Sequence, residues 1–282
     1  MKNYNTFDMQ GRLYSYSLEV KDTDNGEAIS GEVTLEVDKE GNRATVKMFA
    51  RPTFKNGKTN RTYGMLEDMM AGNYTTVVED ADNADWFGLT GNIDVSYFAP
   101  KDGGAKDVDE LARSQKLRGS FLNQNRDHKY KNRWNLDMLI TRVDDVDADE
   151  EKHTPHMVRV MGYAIDDYNE RLNEVVFEAR KEAAMNYILG LPVSYDAPYF
   201  VRVWGEMLKI SRIVVHKNAF GDDETNEYDS FRWAINGMNP EAYEFGDESA
   251  ISKETYDSYR EALKEHKESK LDDNSGNNAL AF

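Results

Sequence analysis

The chain has 282 residues, 39% hydrophobic and 31% charged, with a net charge of −17 and no cysteine. That composition allows a folded core and excludes disulfides and thiolate metal sites. No run of eighteen apolar residues exists to span a membrane. The opening MKNYNTFDMQ lacks the apolar region of a secretory leader, so a cytoplasmic location is expected.

Most of the chain reads as strand. "GRLYSYSLEV" (11–20), "GEVTLEVD" (31–38) and "RATVKMFAR" (43–51) alternate at period two and are joined across DTDNG and DKEGN, both good turn sequences. A short helical patch, "YGMLEDMMAG" (63–72), stops at a glycine. "WFGLTGNIDVSYF" (86–98) reads as a bent strand with internal glycines, and a last strand lies near 116–123.

The second half repeats that order. Strands are expected at 134–146, 157–166 and 173–180, a helix at 181–191, then strands at 199–215 and 230–237. "KMFAR" before the first helix parallels "VFEAR" before the second, and "LTGNIDV" parallels "VWGEMLK". "SKETYDSYREALKEHKE" (252–268) predicts an amphipathic helix capped by Ser252, with Tyr256, Tyr259 and Leu263 on one side packing against its own domain. Beyond Lys270 the composition is that of a disordered end.

The charge is segregated. Residues 41–66 carry Arg43, Lys47, Arg51, Lys55, Lys58 and Arg61 with no acid, and 112–133 carry seven cations against Asp127. The acid lies in 79–85, in DDVDADEE (144–151), in GDDETNEYD (221–229) and toward the C-terminus. Net charge therefore does not exclude a phosphate-bearing partner, because binding follows charge distribution.

Five strands with a short helix between the third and fourth is the order of the OB-fold, a Greek-key barrel. The first half resembles the bacterial and bacteriophage single-stranded DNA-binding protein family through "QGRL" (10–13), "NGEAISGEVTLEV" (25–37) and a C-terminal Phe on a tail. The repeated element order predicts two such barrels in tandem, at 1–125 and 130–240, the second a departure from the family's pattern. A short helical segment (241–270) and a flexible acidic tail with an apolar tip (271–282) follow. The resemblance implies non-sequence-specific binding of single-stranded DNA, with RNA left open, in replication, recombination or repair. No cofactor is called for. It also implies a tail in which Asp272, Asp273, Leu280 and Phe282 recruit partner proteins.

Such binding needs cations for phosphates and flat side chains for bases. "VKMFARPTFKNGKTNR" interleaves Phe49 and Phe54 with Lys47, Arg51, Lys55, Lys58 and Arg61. Arg12, Tyr14, Tyr16, Tyr97, Arg118 and Phe121 are further candidates, and in the second half Arg159, Arg180, Arg202, Trp204, Arg212, Arg232 and Trp233. Alternation favours the core for Phe49 and Phe121, and exposure for Phe54 after Pro52; Trp204 and Trp233 are balanced between the two. His153 and His156 beside the acidic run lack a recognised metal spacing, and no nucleotide fingerprint or nucleophile elbow is present. An enzyme is not expected. The alternative is an OB-fold interaction or virion-assembly module that binds no nucleic acid, and a weaker one is a metal-dependent nuclease.

Overall fold

The structure is a computed structural model that describes residues 3–100, 105–149, 155–217, 223–247 and 250–277. The first half forms β1 (Asn5–Thr23), β2 (Gly26–Glu36), β3 (Arg43–Ala50), α1 (Arg61–Met70), β4 (Trp86–Phe98) and β5 (Ala112–Gln124). β1 begins at Asn5 rather than near Gly11, because Phe7 and Met9 continue the alternation inward. It is long enough to serve two partners, pairing with β4 through its first half and with β2 through its second, with a bulge between Leu13 and Ser15. β2 pairs with β3, β3 runs parallel to β5, and β5 returns to β4, which closes the ring. This is a five-stranded OB barrel. Asn60 caps α1 by accepting from the Thr62 amide, and Leu66 and Met69 bury its inner face in the barrel core.

The second half forms β6 (Lys131–Val146), β7 (Met157–Asp166), β8 (Arg171–Ala179), α2 (Glu182–Leu189), β9 (Tyr199–Lys217) and β10 (Asp223–Met238). Its pairings repeat the first ring: β6 with β7, β7 with β8, β8 parallel to β10, β10 with β9, and β9 back to β6. The bulge recurs too, between Ile140 and Arg142 of β6. The fold is two OB barrels in tandem with a C-terminal helix.

β1 and β6 join the barrels as antiparallel neighbours. The buried side chains of both rings belong to one continuous cluster. α3 (Lys253–Asn277) then packs against β8 of the second barrel and touches β4 of the first. Ser252 accepts from the Thr255 amide as its cap, and Tyr256 and Leu263 are buried, in line with the amphipathic stripe. The helix runs past Lys270 to Asn277, where the sequence suggested an unstructured tail. Once the docked part has nucleated the helix, extension through a few more residues costs little. Leu280 and Phe282, and the side chains of Asp272 and Asp273, lie outside the described residues.

Candidate nucleic-acid interface

β3 places Ala44, Val46, Met48 and Ala50 in the core, so Thr45, Lys47 and Phe49 must face outward. β5 lies beside β3 with Lys47 opposite Arg118, and on the other side of β3 Lys47 faces Glu32. The parallel β3–β5 register puts the outward residues of both strands on one surface. β5 carries a bulge where Gly91 of β4 faces Gly119 and Thr90 faces Phe121. The extra residue, Ser120, breaks the alternation, and Ser120 and Phe121 both turn outward. Phe49, Phe54 and Phe121 are 43%, 44% and 55% exposed. The sequence favoured the core for Phe49 and Phe121, and the structure corrects both. For Phe49 the signal was present in its apolar neighbours; for Phe121 the bulge left none.

The loop from β3 to α1 supplies the rest. Phe54 and Lys58 close a turn, with the Phe54 amide donating to the Lys58 carbonyl at 2.8 Å, and Lys55, Lys58 and Arg61 are exposed around it. Arg51 is half-buried with its guanidinium 5.6 Å from the Phe49 ring. Among the described residues, Lys47, Arg51, Lys55, Lys58 and Arg61 have no ion-pair partner, whereas Arg118 lies 3.7 Å from Asp94. Lys116 is engaged by Glu32 at 3.3 Å. At the edge of this surface the Tyr63 hydroxyl donates to Glu27 at 2.6 Å, tying α1 to the β1–β2 hairpin. That bond pushes the Tyr63 pKa up to about 12. The arrangement offers unpaired cations beside flat, exposed rings.

Several other sequence candidates are committed elsewhere. Arg12 donates to Glu36 at 2.5 Å and to the Ala81 carbonyl at 2.7 Å, and the Glu36 bond raises its pKa. Tyr14 lies under the Arg43 guanidinium at 3.6 Å, and Tyr16 is half-buried against the core. Tyr97 is buried, and its hydroxyl accepts from the Glu174 amide at 2.8 Å. Burial raises its pKa. Arg12, Tyr14 and Tyr16 are taken up by partners within the first barrel, and Tyr97 by the junction between the two. Alternation and charge along the sequence do not distinguish such an internal partner from a ligand.

The second barrel differs in kind. Arg180 donates to Glu178 at 2.6 Å, and Arg202 to Asp137 at 2.7 Å while stacking on Tyr4. Arg159 is half-buried between Asp144 and Glu178 on the flanking strands. Trp233 is half-buried and packs edge-on to Trp134 and Phe177, against the core rather than in it. Trp204 is half-buried against Gly237, where a Cβ would stand 2.7 Å from its ring. Arg232 is exposed, and the Arg212 side chain lies outside the described residues. His153 also lies outside them, and His156 lies 2.6 Å from Asp145.

Comparison with known proteins agrees with the barrel topology. An engineered deletion variant of the single-stranded DNA binding protein from Thermus aquaticus is similar, with a TM-score of 0.50 at 15% identity over 88% of this chain and 98% of that one. The wild-type Thermus aquaticus protein is matched with a TM-score of 0.48 at 14% identity, over 89% of this chain and 98% of that one. At 15% identity the first of these likenesses is one of fold alone. No curated protein matches the sequence. The model of the YorF family matches residues 3–274, and the chain belongs to that family.

Proposed function

We propose that the chain binds single-stranded nucleic acid, DNA in the first instance, on the outward face of β3 and β5 and the loop between β3 and α1. One observation carries this reading: five cations without ion-pair partners among the described residues share β3 and the loop after it with exposed Phe49 and Phe54, beside Phe121 on the neighbouring β5, in a chain with net charge −17. Lys47, Arg51, Lys55, Lys58 and Arg61 take phosphates, with Arg118 alongside, and Phe49, Phe54 and Phe121 stack bases. The fold likeness to a single-stranded DNA binding protein supports the reading. Acid elsewhere disfavours the denser charge of a duplex. The binding serves replication or recombination, and the C-terminal residues Leu280 and Phe282 recruit protein partners.

A labelled oligothymidine titrated across a salt series tests this. Affinity that falls steeply with salt, and exceeds that for duplex of equal length, is the expected result. Salt-insensitive or absent binding rejects the reading and leaves an interaction module that touches no nucleic acid.

A further inference from the structure

β7 and β8 turn outward the face that β2 and β3 present in the first barrel. In the first barrel that face pairs Ser30 with Phe49, Glu32 with Lys47 and Thr34 with Thr45. It is polar, and Thr45, Lys47 and Phe49 are open to solvent. In the second barrel the rows are Arg159 with Glu178, Met161 with Val176, Tyr163 with Glu174 and Ile165 with Leu172. Here Tyr163, Ile165 and Leu172 are buried, although alternation points them away from their barrel's interior.

What buries them is the chain itself. α3 packs along β8, and its Tyr256 and Leu263 belong to the same buried cluster as Tyr163 and Leu172. Lys267 donates to Glu174 at 3.3 Å, with only 11% of its side chain exposed. From the other side the first barrel reaches across: Gln115 accepts from the Val176 amide at 2.9 Å, and Tyr97 accepts from that of Glu174 at 2.8 Å. Cations on this face are already engaged by its acids, Lys267 and Arg113 by Glu174 and Arg180 by Glu178, and so are not free for phosphate.

We infer that one barrel alone holds the strand, and that in the second barrel β8, the counterpart of β3, is instead the seat of the C-terminal helix. The inference rests on the function proposed above and adds to it a stoichiometry: one short strand per chain. It contrasts with the duplicated fold, whose two rings share pairing order and bulges.

The full chain is titrated with an oligothymidine of about eight nucleotides, short enough for one barrel. One strand per chain at saturation is expected, with amide-exchange protection gained over 43–61 and 112–124 and unchanged over 157–179. In the Lys47→Glu/Arg118→Glu variant, binding should weaken roughly tenfold or more with no residual tight site. Two strands per chain, new protection over 157–179, or parent-like binding by that variant overturns the inference. Absence of binding by the parent chain instead overturns the proposed function, and the inference with it.

Discussion

Phe7 of β1 and Trp134 of β6 face each other across the strand pair that joins the two barrels. Each also lies opposite a glycine of its own barrel, Gly91 for Phe7 and Gly205 for Trp134. A Cβ at Gly91 would stand 2.0 Å from the Arg118 carbonyl oxygen and 2.8 Å from the Phe7 ring. At Gly205 the corresponding distances are 1.8 Å to the Ala234 carbonyl oxygen and 2.5 Å to Trp134. The repeated ring-over-glycine contact marks an approximate two-fold relation between the barrels.

Gly205→Ala forces backbone apart as well as a ring, so a loss of about 3 kcal/mol is expected. Trp134→Ala empties a fully buried site and should cost about 3–5 kcal/mol. Urea unfolding measures both. Since the core is continuous across the barrels, the parent should unfold in one transition. Separate transitions for the two barrels would contradict that continuity.

Replacing Lys55, Lys58 and Arg61 together by Ala should flatten the salt dependence of binding. Each phosphate contact on a single strand contributes roughly 0.7 to the slope of log affinity against log salt. The slope should therefore fall by about 2 if all three touch phosphate. An unchanged slope would place the strand away from the β3–α1 loop. Stability should move little, because all three side chains are exposed.

The barrels were legible in the sequence because period-two alternation and the helix position recur in both halves. The three-residue likeness of "LTG" and "VWG" even marked Gly91 and Gly205, the two ring-over-glycine sites. The site was legible as a charge-segregated stretch, since an acid-free run is a local property. Which cations are free was not legible, because Arg12 and Arg202 meet carboxylates on other strands. Tyr97 looks like a platform until the barrel junction buries it, and Trp233 until the rings of Trp134 and Phe177 half-cover it. Phe121 was hidden by a bulge whose cause, the close approach at Gly91, is nonlocal.

Phe49→Ala and Phe121→Ala should each weaken binding by about 1–3 kcal/mol, the usual worth of a stacked base. Tyr97→Phe provides the contrast. It strips the acceptor from the Glu174 amide, so stability should drop by about 1–3 kcal/mol. Affinity should stay at the parent value, because Tyr97 is buried at the barrel junction. If Tyr97→Phe lowered affinity and Phe121→Ala did not, the binding face would lie at the junction rather than on β3 and β5.

His266 of α3 sits edge-on to Tyr97, with ring centroids 6.0 Å apart. Burial lowers its pKa below 6.5, the nearby positive charges of Arg171 and Lys270 lower it further, and Asp166 opposes them. Folding therefore favours the neutral imidazole. The unfolded chain takes up a proton as pH falls through about 6.5, while the folded chain resists until its own lower pKa. This group's contribution is complete above pH 6.5 and is lost as pH drops below it. Urea midpoints should decline on mild acidification in the parent and decline less in His266→Gln, which cannot be protonated. Because α3 is what covers Tyr163 and Leu172, the same acidification should raise amide exchange along 253–277 before it does so in β1. Equal pH curves for parent and variant would show that the helix seat is insensitive to this imidazole.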